Sequence, residues 1–378
     1  MASNEDFDLA EQLLKRATEL DPADGEAWAA SAILSGAFFV ARNDTEQYAA
    51  ATRSQAARAI KLAPNSDLAR FAYAFSLRFD PKTQDECLRL MREEVARQPG
   101  NRMVVRLLGR ALAGFGQLEQ ALVYFDKAAA IPGRDPVTLY NRAQALSRLG
   151  RYPETEAAVD EALALAPAYS NAHAMKISLL MDYYGDMAKA RQHLEKVPPD
   201  FYSRDAGVVT AAITWLYSRE PLKCLEALRP ARDYLRFSSF IGPKAYLAGL
   251  AQTILGNADA ARTEWRTALR VVDKLLETQP NSVALLENRA LLLAALGQKD
   301  EAEPLLRELI QRATNSNNAK FTVARVQALL GRADEAITTL ESISGRGTQN
   351  HLRYHPEWDS LRDNPRFQAL LKAREQKK

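Results

Sequence analysis

Two cysteines in 378 residues, Cys87 and Cys224, are too few and too widely spaced for a disulfide framework. Both fall in helical segments and read as buried packing thiols, which fits a reducing compartment. The cytoplasm is therefore expected, or the periplasm if a membrane segment lies upstream in the native protein. No apolar run reaches the roughly 18 to 20 residues of a membrane-spanning helix, so this segment is not expected to insert into a membrane. Met1 to Arg16 is acidic and has no charged start followed by an apolar core, which excludes a secretory signal as the segment stands. An excess of one charge is missing too. Fifty Lys and Arg against 47 Asp and Glu leave +3, too near balance for a nucleic-acid-binding surface.

Catalytic and cofactor signatures are equally scarce. There is no phosphate-binding Gly-rich loop, no C-x-x-C or H-E-x-x-H spacing and no nucleophile elbow, so no catalytic residue, metal or cofactor is implied. Of the four histidines, His351 and His355 have the i, i+4 spacing of a chelating helix. Pro356 and the Gly-rich approach argue against a helix there, and metal binding is not expected. His173 and His193 read as ordinary surface or interface side chains. Gly345-Arg346-Gly347-Thr348 follows no strand and reads as a loop.

What the chain does have is a recurring helical hairpin, clearest from Leu108 to Pro132. Helices are predicted over Met103 to Phe115 and Leu118 to Ala130, with Gly116 free to take the left-handed conformation that ends the first. Leu108-Gly109 precedes Leu112, Ala121 precedes Phe125 and Ala128, and Pro132 closes the unit. The turn glycine returns at Gly150, Gly185, Gly256, Gly297 and Gly331, at intervals of 34, 35, 71, 41 and 34 residues. The interval of 71 places a divergent copy without its glycine at about 203 to 240. The interval of 41 is explained by a second helix that runs on through Arg270 to Leu276.

This pattern resembles the tetratricopeptide repeat, with its leucine-glycine pair, Ala-x-x-x-Phe step and closing proline over about 34 residues. The resemblance implies an all-α, right-handed superhelical solenoid. Residues 1–24 read as an unpaired first helix, 25–344 as about nine hairpins, and 345–378 as a cap and tail. The unpaired helix points to a native polypeptide that extends upstream, or to a lone capping helix. In the tail, Trp358, Leu361, Phe367, Leu370 and Leu371 are expected to cover the apolar end of the solenoid. Pro356 to Leu371 also resembles the segment that follows the last repeat in bacterial tetratricopeptide regions fused to signalling modules.

The resemblance further implies that the first helix of each hairpin lines a groove for a peptide or protein segment. Projected onto the central copies, this places Arg106 and Arg110 on one helix, Tyr140, Asn141, Gln144 and Arg148 on the next, and Lys176 and Tyr183 on the third. Arginine and asparagine can hydrogen-bond a carboxylate or a peptide backbone, and tyrosine adds a flat contact with a polar end. The match to the carboxylate-clamp subset is partial: Asn141 and Lys176 fit in kind, but the other slots carry Arg106 and Arg110. The expectation is a non-enzymatic scaffold that binds a protein or peptide partner, as the regulatory or sensing region of a larger bacterial signalling protein. Three alternatives stay open: these side chains only solvate the wall, the chain self-assembles as a structural module, or the groove holds an active site. The oligomeric state is open as well.

Overall fold

Helical hairpins joined by tight turns make up most of the chain. A computed structural model describes residues 4–42, 46–237, 240–313, 316–343 and 349–375. The loop Gly345-Arg346-Gly347-Thr348 lies outside the described residues. By internal contacts the chain divides into two compact units, Met1–Lys176 and Ile177–Lys378.

The first unit begins with α1 (Asn4–Leu20). It continues with the pairs α2 (Gly25–Arg42) and α3 (Glu46–Leu62), α4 (Asp67–Ser76) and α5 (Gln84–Arg97), α6 (Arg102–Gly114) and α7 (Leu118–Ala130), and α8 (Pro136–Arg148) and α9 (Tyr152–Leu165). Helix α10 (Ser170–Asp182) carries the chain into the second unit. There it is followed by α11 (Met187–Leu194), α12 (Asp205–Tyr217) and α13 (Pro221–Leu228), then α14 (Lys244–Ile254) and α15 (Ala258–Thr278). The pairs α16 (Val283–Ala295) with α17 (Lys299–Arg312) and α18 (Asn317–Leu329) with α19 (Ala333–Glu341) precede the tail helices α20 (Gln349–Tyr354) and α21 (Pro365–Glu375).

Local chemistry sets the hairpin ends. The Asn101 side chain accepts the Val104 N–H to start α6. Gly116 (φ +80°) ends it, with Gln117 N–H donating to Leu112 O at 2.9 Å. Inside the hairpin, a Cβ on Gly109 would lie 2.7 Å from Phe125 Cε1. Only glycine lets α6 settle over this fully buried ring, and Ala121, Ala143, Ala158 and Leu146 continue the same core. Gly249 over Trp265 repeats the arrangement between α14 and α15.

The divergent copy differs in two respects. Its turn carries Arg219 at φ 58°, and Glu220 N–H donates to Trp215 O at 2.9 Å, so the capping geometry survives without glycine. Asp359 receives both guanidinium nitrogens, at 2.7 and 2.5 Å, and so holds the side chain of this left-handed residue. After α13 the expected helical array gives way to an antiparallel ribbon, β1 (Tyr234–Phe237) with β2 (Phe240–Pro243), Leu235 opposite Gly242. Each arm is four residues long, too short for any periodicity to register.

The tail does more than close the end. Trp358, Leu361 and Phe367 are buried against Ala324, Ala328, Ile337 and Leu340 of α18 and α19. The preceding stretch then lies across the first helices of several pairs. Asn350 Nδ2 donates to Met181 O on α10, and the Tyr217 ring of α12 meets Tyr354 and His355 at 6.1 and 5.8 Å. Phe321 of α18 sits edge-on to His351 at 4.8 Å. Arg325 grips Glu357 with both nitrogens, at 2.7 and 2.6 Å, while Tyr246 Oη donates to the same carboxylate. Burial alone would raise the Glu357 carboxyl, but Arg325 holds it well below the usual carboxylate range. Residues 349–354 are helical, contrary to expectation. Burial of Leu352 and Asn350 stabilises the turn, and Pro356 falls one residue beyond the extended His355, where it interrupts no helical bond.

Two predictions follow from this packing. Gly109→Ala should destabilise the protein by about 1–3 kcal/mol in urea unfolding, because the added methyl has no space beside Phe125. Burial pushes His355 down to about 4, and burial together with the His355 ring pushes His351 well below its ordinary value. The unfolded imidazoles take up protons near pH 6.5, so stability is complete above that value and is lost as pH falls toward 4. The expected slope is up to about 1.4 kcal/mol per pH unit for each histidine, and His355→Asn should reduce it.

Candidate functional site

Helices α6 and α8 carry most of the expected site residues of the first unit. Arg106 and Arg110 lie one turn apart on α6, and Arg78, on the 3-10 turn after α4, joins them from the preceding pair. Its guanidinium stacks on Phe75 at 4.1 Å and on Phe79 at 4.7 Å. Burial pushes Arg78 down to about 9, and Arg110 adds repulsion. Arg110 is itself lowered by burial and then by Arg106; Arg106 is lowered by burial, with Asp135 pulling the other way. All three remain cations at neutral pH.

Few acceptors face these donors. Asp135 Oδ2 stands 3.9 Å from Arg106 Nε, beyond hydrogen-bond reach, because the same carboxylate caps α8 through the Val137 and Thr138 N–H groups at 3.1 Å. Arg106 Nε is buried without a hydrogen bond, and so is Asn141 Nδ2, whose residue is 7% exposed. Among the described residues, Arg78 and Arg110 have no carboxylate partner. The Tyr140 and Tyr169 rings, 5.3 Å apart, form the floor, and Gln144 donates to Tyr140 Oη at 3.1 Å. Burial pushes the Tyr140 phenol up to about 12 and raises Tyr169 as well, so both remain hydrogen-bond donors. The result is a desolvated patch of surplus positive charge with unused donors, suited to an anionic group.

The remaining expected residues have other partners. Lys176 donates to Glu156 at 2.7 Å and to Asp160 at 2.8 Å, and these bonds outweigh the burial of its ammonium and raise its pKa. Arg142 with Asp126 and Arg289 with Asp273 repeat this pairing at the same separation of sixteen residues, so Lys176 sits in a slot that ties one hairpin to the next. Arg148 donates to Ala113 O at 2.7 Å and covers the C-terminal end of α6. Tyr183 lies past the end of α10 in the second unit, edge-on to Tyr184 at 4.8 Å. His173 is buried, its Nε2 2.7 Å from Pro167 O. Sequence reasoning missed Arg78 and Tyr169, which lie outside regular helix; an arginine beside two phenylalanines was the available signal for the first.

The second unit brings His351, His355 and Glu357 within 4.8 Å of one another. The two imidazoles stack in parallel at 4.1 Å and 8°, so one ion cannot lie in both ring planes at the roughly 2 Å that nitrogen ligands require. Trp358 Nε1 donates to His351 Nδ1 at 3.0 Å, and both Glu357 oxygens are taken by Arg325. This cluster anchors the tail.

A site held in reserve for a ligand weakens the free protein. Arg110→Met and Asn141→Leu should each raise stability by about 1 kcal/mol in urea titrations, since they remove a desolvated donor rather than a bond.

A family model described as tetratricopeptide repeat matches residues 246–318 and 289–350. No curated protein sequence matches the chain. Human IFIT1, solved as a dimer with PPP-AAAA, aligns at 13% identity over 82% of this chain and 70% of its own, with a TM-score of 0.51. A tetratricopeptide repeat protein from Parabacteroides merdae aligns at 14% identity over 81% and 99%, TM-score 0.39. PilF of Pseudomonas aeruginosa aligns at 17% identity over 55% and 95%, also at 0.39. The tetratricopeptide repeat model matches residues 246–350, and the fold is all-α, built of helical hairpins of the kind found in tetratricopeptide solenoids.

Proposed function

We propose that the chain is a non-enzymatic protein-interaction scaffold whose first unit grips an acidic segment or terminal carboxylate of a protein partner on the wall of Arg78, Arg106 and Arg110. One observation carries the reading: three partly buried guanidiniums stand together with a single carboxylate near them, Asp135 at 3.9 Å from Arg106, beside the orphaned donors Arg106 Nε and Asn141 Nδ2. Stability alone disfavours such a grouping, and an incoming carboxylate would relieve it with charge-assisted bonds of about 1.5–3 kcal/mol each. The tail from Pro356 to Leu371 supports a place in a larger bacterial signalling protein, acting in the cytoplasm. No helix among the described residues is long and apolar enough to cross a membrane.

Self-assembly is favoured by a separate feature. Leu9, Leu13 and Leu20 of α1 are 54, 61 and 70% exposed, an apolar set that a second chain could cover. Light scattering over a concentration series tests it: a constant mass removes this reading.

Fluorescence anisotropy with a labelled Asp/Glu-rich peptide, with free and amidated C-termini, tests the binding wall. The Arg106→Ala, Arg110→Ala double variant should bind about tenfold more weakly or worse, with unchanged circular dichroism. Arg148→Ala should change little. Undiminished affinity in the double variant would remove the wall from consideration.

A further inference from the structure

Between the tail and the helices it covers, the second unit holds a cavity of about 250 Å³. Its charges nearly cancel. Arg325 is committed to Glu357 through two hydrogen bonds. The imidazoles of His351 and His355 are held neutral, and burial raises the Tyr217 phenol far above its ordinary value, so it too is uncharged. One charge is left over. Asp182, at the end of α10, lines the cavity and makes no hydrogen bond or ion pair among the described residues.

The lining completes the picture. Thr210 Oγ1 is buried without a partner in a residue 2% exposed, and the Ser178 hydroxyl lies on the same wall. Tyr217, Phe240 and Phe321 supply aromatic surface. An unmatched carboxylate beside aromatic faces attracts a cation, and an orphaned hydroxyl oxygen accepts an N–H group from it. The volume is below that of drug-sized pockets, about 300–1,000 Å³, and suits one small group.

We infer that this cavity binds a protonated amine or guanidinium group, either a small organic cation or one Lys or Arg side chain of a peptide. Asp182 pairs with the charge, the rings of Tyr217, Phe240 and Phe321 enclose it, and the Thr210 and Ser178 oxygens accept its hydrogens. The site stands independently of the arginine wall in the first unit.

Isothermal titration of the full chain with agmatine, N-acetyl-arginine amide and the uncharged n-butanol tests the site. Agmatine or the capped arginine should bind and n-butanol should not; which of the two binds more tightly separates a free organic cation from a peptide side chain. Asp182→Asn should weaken binding about tenfold or more, or ~1.4 kcal/mol, with the fold intact by circular dichroism. Phe321→Leu should weaken it too. Equal binding of n-butanol, no binding of either cation, or full affinity in Asp182→Asn would overturn the proposal. So would zinc binding that survives Asp182→Asn and is lost in His355→Asn, since that would place the site on the imidazoles.

Discussion

A thirteen-residue helix such as α6 cannot bury its apolar stripe alone, and the structure depends on the way each helix borrows a partner's surface. The closest approach is made by glycine and alanine: Gly109 over Phe125, Gly249 over Trp265, Ala143 and Ala162 beside Leu146. Small residues on one helix admit a large ring from the other, and turn residues in the left-handed region bring the two together. Neighbouring hairpins are then tied by the recurring pairs Arg142–Asp126, Lys176–Asp160 and Arg289–Asp273. Each of these pairs is partly exposed, so they act on register more than on stability.

With packing assigned to small residues and rings, the outward sides of the first helices are released for other chemistry, and the two units use them differently. In the first unit Arg110 is set against both Arg78 and Arg106 and lies near Tyr140 and Tyr169, and the acid nearby, Asp135, stands 3.9 Å from Arg106. In the second, Arg325 has its acid, because the tail delivers Glu357 to it and lays His351, His355 and Trp358 against Phe321 and Tyr217. A basic side chain on a first helix therefore has no fixed meaning. Its surroundings make it an anchor for the chain's own tail or a donor left for something else.

The sequence alone determined the architecture, and did so for a physical reason. Helical period, turn glycines and the spacing of Ala, Phe and Pro are local constraints, so they can be read without knowing what touches what. Even the missing glycine pointed to a real turn, which Arg219 supplies. The short ribbon at 234–243 escaped because four-residue strands carry too little periodicity. The helix at 349–354 escaped because its stability comes from burial against distant helices.

Site chemistry was legible only in part. Arg106, Arg110, Tyr140, Asn141 and Gln144 were expected from repeat geometry alone; of these, Gln144 bonds Tyr140 and Arg110 lies near Arg106 and Tyr140. Lys176 failed because the slot that follows Arg106 and Tyr140 by the repeat length is Ala174; two residues on, about 200° around the helix, Lys176 faces α9 instead. Tyr169 and Arg78 lie off the regular helices, where no period applies. Only the tertiary structure decided which charges found partners. Ion pairing depends on distances between residues far apart in the chain, as Arg325 and Glu357 show by pairing and Asp182 shows by remaining alone.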